Sequence, residues 1–121
     1  MAEVKVTATK LDLNEFGEIT FAEAAANDKI LFDFQAVGDE KLVMLFKGAG
    51  TVTLKKGDSI QGVVDIVGDV TAEAAVRVDS GMFKNVDGND EDGATNANKG
   101  YVVAEVTAST NGLSAALIQL P

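Results

Sequence analysis

The chain has 121 residues, room for one domain, and its 46% hydrophobic and 24% charged side chains give a globular balance. Nineteen acids against ten bases leave a net charge of −9, a surface that repels phosphate backbones and argues against nucleic-acid binding. There is no cysteine and no histidine, which excludes thiolate nucleophiles, disulfides, cysteine zinc sites and the usual general base near neutral pH. No apolar run approaches the roughly 20 residues of a membrane span. Met1-Ala2-Glu3-Val4-Lys5 lacks the basic start and apolar stretch of a signal peptide.

Residues 3 to 10 alternate apolar and polar side chains, the period of a strand with one buried face, with Val4, Val6 and Ala8 inward. Gly17 to Phe21 is expected to be a second short strand, with Ile19 and Phe21 on one side, and Ala22 to Ala26 a turn or a single helical turn stopped by Asn27-Asp28. Lys29 to Gln35 places Ile30, Phe32 and Phe34 on one face. Lys41 to Phe46 is almost wholly apolar, as in a central strand covered on both sides, with Leu42, Met44 and Phe46 opposite Val43 and Leu45. Gly48-Ala49-Gly50 then predicts a hairpin to the alternating Thr51 to Lys55.

Ile60 to Val67 is an apolar, glycine-interrupted connection, with a strand at Val63 to Val67 ended by Gly68. Thr71 to Val78 forms another strand, Ala75 and Arg77 lying opposite Ala74, Val76 and Val78. Residues 85 to 100 are rich in Asn, Asp and Gly and predict an exposed loop. The last strands are Tyr101 to Thr107 and Leu113 to Leu120, joined through the hairpin signal Asn111-Gly112. About eight short strands without a long amphipathic helix make the chain all-β: a single-domain β-sandwich over residues 1–121, immunoglobulin-like or similar, with a small barrel as the alternative. Residues 1–10 form an N-terminal arm or edge strand.

The sharpest chemical candidate is the acidic loop. Asp87, Asn89, Asp90, Glu91 and Asp92 are oxygen ligands of the kind calcium takes. Against an EF-hand loop beginning at Asp87 the pattern fails, because Asp92 stands where glycine is required and Asn98 where the closing glutamate is required. A solvated acidic loop is therefore expected, and no metal or cofactor. Paired carboxylates could serve a glycosidase, but the chain has no tryptophan and one tyrosine, Tyr101. Ser80 has no histidine to act as its base, and Lys55-Lys56 lacks a phosphate-loop motif. The chain is not expected to be an enzyme. Beyond the turn at Ser80-Gly81, Phe83 is expected to plug the core and Met82 to lie nearer the surface, available to a partner.

Four segments carry a resemblance: "TVTLKKGDSIQGV" (Thr51 to Val63), "DSGMFKN" (Asp79 to Asn85), "KGYV" (Lys99 to Val102) and the closing apolar strand ending "LP". Over about the last two-thirds of its length the chain resembles the capsid decoration proteins, small auxiliary head proteins of tailed bacteriophages and prophages. Two departures stand out: the family often has arginine at the position of Met82, and residues 86 to 98 form a longer acidic insertion. The resemblance implies a structural β-sandwich, made in the bacterial host cytoplasm, that binds the outside of the major capsid protein lattice in several copies. Val4, Val6, Ala8 and Met82 are the expected contacts, the first three by adding a strand to a neighbour's edge. The alternative from another class is a carbohydrate-binding or adhesive sandwich module, calcium-dependent through the acidic loop.

Overall fold

The computed structural model describes residues 3–34, 41–58, 60–86, 99–109 and 112–121. In chain order the elements are β1 (Glu3–Val6), β2 (Ala8–Lys10), β3 (Ala22–Glu23), β4 (Lys29–Asp33), β5 (Leu42–Lys47), β6 (Gly50–Leu54), β7 (Ile66–Val70), β8 (Glu73–Val76), the single helical turn α1 (Ser80–Phe83), β9 (Tyr101–Ser109) and β10 (Ser114–Gln119). They form two five-strand sheets packed as a β-sandwich. The first has the order β1-β4-β9-β6-β7; the second has the order β2-β10-β5-β8, with β3 also paired to β10.

Alternation built this sandwich. Ile30, Phe32 and Phe34 turn inward from the first sheet, as do Val102, Ala104 and Val106, while Leu42, Met44 and Phe46 turn inward from the second with Ala115 and Leu117. The rings of Phe32 and Phe46 meet edge to face across the two sheets, with centroids 5.7 Å apart and a geometry favoured by the ring quadrupoles. Burying each such side chain contributes about 1.5–3 kcal/mol. On β8, Ala74 and Val76 pack on the core, with Val78 just beyond, as the alternation predicts.

The connections correct the sequence reading. Lys41 to Phe46 does lie inside a sheet, between β10 and β8, but the predicted hairpin to Thr51–Lys55 does not form. β5 belongs to the second sheet, and β6 pairs with β7 and β9 in the first. Gly48, at φ 107°, turns an arch that carries the chain across the core. The last two strands are likewise split, β9 in the first sheet and β10 in the second. Among the described residues β6 and β7 are the only consecutive strands paired with each other. A glycine turn signal marks a reversal, and both a hairpin and an arch are reversals.

Three smaller expectations also change. Gly17 to Phe21 is not a strand; pairing begins at Ala22, opposite Ala115. Of the two alternatives at Ala22–Ala26 the turn is found, after the short strand β3 and not as a helical turn: Asp28 Oδ2 accepts the N–H of Ala25 at 2.9 Å and Asn27 takes φ 72°. Gly68 does not end a strand but lies in the middle of β7, opposite Val52.

Candidate interaction surface

Three of the segments that carry the resemblance meet at one end of the sandwich. Asp79 caps α1, its Oδ1 accepting the N–H of Gly81 at 2.8 Å, as an N-cap residue does. The connection after β6 is laid against this turn. Gly57 donates its N–H to Met82 O at 2.8 Å, and a Cβ at Gly57 would stand 2.6 Å from Lys84 O. Asp58 Oδ1 accepts the N–H of Val86 at 2.7 Å. The start of β9 closes the junction: Gly100, at φ 85°, donates to Asn85 O at 2.7 Å, and Asn85 donates its main-chain N–H to Tyr101 O at 3.0 Å. Asn85 itself is buried, and its Nδ2 donates to the same carbonyl. The three segments interlock through these hydrogen bonds.

The predicted contact residues lie against the domain's own core. Val6 is 4% exposed, and Val4, Ala8 and Met82 are half-buried against the same cluster. Phe83 is in the core and Met82 nearer the surface, as expected, although the two sit on a helical turn and not on extended chain. The N-terminal segment acts as a seal. β1 pairs parallel with β4, setting Val4 opposite Ile30 and Val6 opposite Phe32. The chain then passes to the other sheet, where β2 pairs parallel with β10. One edge of the sandwich is thereby closed. The calcium candidates Asp87, Asn89, Asp90, Glu91 and Asp92 lie outside the described residues.

Val86 apart, the large exposed apolar side chains among the described residues fall elsewhere, in two stretches. The first is residues 11–21, which leave β2 and return to β3. Leu13 and Phe16 project into solvent, Ile19 and Phe21 are partly exposed, and Lys47 Nζ lies 5.7 Å from the centroid of the Phe21 ring. The second runs from Ile60 to Val67, where Ile60 is 99% exposed and Val63, Val64, Ile66 and Val67 are all exposed.

That second stretch is tethered at Asp65. Asp65 accepts the N–H of Lys56 at 2.7 Å and pairs with Lys55 Nζ at 3.2 Å. The hydrogen bond from the Lys56 N–H, aided by Lys55 and opposed by partial burial, holds the Asp65 carboxyl below its ordinary value. Beyond it, β7 is the outer strand of its sheet. Between β7 and β8 opens an apolar cleft of about 180 Å³, bounded by Phe46, Val52, Leu54, Ile66, Val70 and Val76 and reaching Gly68.

No family model, no curated protein and no solved structure matches this chain. The sequence marked 60–67 as apolar. It did not mark it as exposed, because an apolar run reads the same whether it faces a core or solvent.

Proposed function

We propose that this chain is a structural, non-enzymatic protein of a tailed-phage head, bound in several copies to the outer surface of the major capsid protein lattice and stabilising the shell. The observation that supports the reading is the pair of exposed apolar stretches, 11–21 and 60–67, on one small acidic sandwich. Exposed apolar surface of this extent marks association. On a lattice, two such surfaces could serve the shell and a neighbouring copy. The resemblance of four sequence segments to capsid decoration proteins is what suggests the lattice, and a charge of −9 suits the exterior better than contact with packaged DNA.

The shell contact is assigned to residues 11–21. This stretch offers side chains and no long strand edge, and Asp12, Glu15 and Glu18 interleave with Leu13 and Phe16. A complementary shell surface would carry basic side chains around apolar pockets, and binding would weaken with salt. The test is co-sedimentation with capsids lacking the protein, comparing wild type with Leu13→Ser/Phe16→Ser. Saturable binding by wild type is expected, with at least tenfold weaker binding by the variant at an unchanged melting temperature. Absence of wild-type binding would remove the decoration role; equal binding by the variant would remove the assignment to residues 11–21.

A further inference from the structure

We propose that β7 is a homotypic edge, pairing antiparallel with β7 of a second copy about a twofold axis at Gly68, so that two copies of the first sheet become one continuous ten-strand sheet. The two edges of that sheet are built differently. β1 carries Glu3 and Lys5 along its length, the charged blunting by which edge strands avoid pairing. β7 reads Ile66-Val67-Gly68-Asp69-Val70, and its one charge is held by its own sheet, Asp69 Oδ1 accepting from Thr51 Oγ1 at 2.9 Å. No described strand lies on its outer side.

Gly68 sits at the centre of the open strand. A Cβ added there would meet nothing within 4 Å, and Gly68 does not take a positive φ. Side chains of an antiparallel pair stand out of the sheet plane, so pairing about this position tolerates glycine or a small side chain. With Gly68 on the axis, Ile66 stands opposite Val70 of the second copy and Val67 opposite its Asp69. The apolar pair extends over the mouth of the cleft, and the arrangement is self-complementary, as an isologous interface requires. Ile66 and Val67 on the strand and Ile60, Val63 and Val64 in the segment leading to it are all exposed, apolar surface available to an interface that in a stable pair buries about 800 Å² per partner. The inference does not depend on the shell reading.

Two experiments test it with the full chain. Facing residues of an antiparallel pair have Cα atoms about 4.5–5.5 Å apart, within the roughly 4.4–6.8 Å of a disulfide. The natural chain has no cysteine. Mild oxidation of Gly68→Cys should therefore yield a linked pair in high proportion, and oxidation of Glu18→Cys should not.

The second is sedimentation equilibrium over a range of protein concentrations. Wild type should approach twice the chain mass, more readily in salt, because two charges of −9 repel. Val67→Asp sets a carboxylate opposite Asp69 of the second copy and should weaken the dimer at least tenfold while leaving the melting temperature of the dilute monomer unchanged. Val67→Lys sets an opposite charge there and should keep it. A wild type that stays monomeric, equal behaviour of the two Val67 variants, or cross-linking of Gly68→Cys no better than Glu18→Cys would overturn the proposal.

Discussion

The two outer strands of the first sheet share a length scale and little else. β1 is four residues, charged at alternate positions, and continuous with β2, so the chain itself closes that side of the sandwich. β7 is five residues, nearly all apolar and centred on glycine, and it borders an open cleft. Both strands satisfy half of their main-chain groups inside the sheet. β1 turns Val4 and Val6 to the core and Glu3 and Lys5 to solvent, whereas β7 leaves the apolar Ile66 and Val67 exposed. A domain that covers one edge so thoroughly could cover the other by the same means, with a charge or a crossing segment; leaving β7 apolar is what a strand kept for a partner would look like.

Breaking the sealed edge should cost most. Val6→Asp places an unpaired carboxylate where Val6 is 4% exposed, facing the core beside Phe32 of β4, and it should destabilise the domain by more than about 3 kcal/mol. Urea melts would check this, and a near-wild-type midpoint would mean the seal is dispensable. Next comes the junction below the open edge. Gly57→Ala pushes a methyl to 2.6 Å from Lys84 O and should cost about 1–3 kcal/mol, again by denaturant melt.

The pin on residues 60–67 is a smaller effect with a pH signature. Asp65 has its folded pKa below the unfolded value, with the Lys56 N–H as the main cause. Its contribution is therefore present above the ordinary aspartate value and lost as pH falls through the lower folded value. Asp65→Asn should lower stability by about 1 kcal/mol or less at pH 7. The difference in melting temperature from wild type should vanish in strong acid. Smallest of all, Val67→Asp at the open edge should change monomer stability by no more than about 0.5 kcal/mol, measured at concentrations low enough to keep it monomeric.

Much of the sandwich was legible because its strands alternate: Ile30, Phe32 and Phe34, or Leu42, Met44 and Phe46, declare their inward face directly. Which sheet each strand joins was not legible. The turns at Gly48 and Gly112 look like hairpins locally, and only packing across the core makes them arches. Ile19 and Phe21 alternate as a strand would, yet partly face solvent beside β3. For the candidate surface, Gly68 was visible but read as a stop. Its meaning depends on the empty space around it, and sequence does not encode space. For the N-terminal segment, clean alternation shows that one face is buried, and here Val4 and Val6 turn that face to the chain's own core.

The contrast between the two edges is tested most directly by hydrogen–deuterium exchange on the wild-type protein at low and high concentration. Main-chain amides of β7 that point away from β6 should exchange rapidly in dilute solution and become protected as concentration and salt rise, while those of β1 stay unchanged. Protection that grows at β1, or exchange at β7 that is indifferent to concentration, would contradict the assignment of the open edge to a second copy.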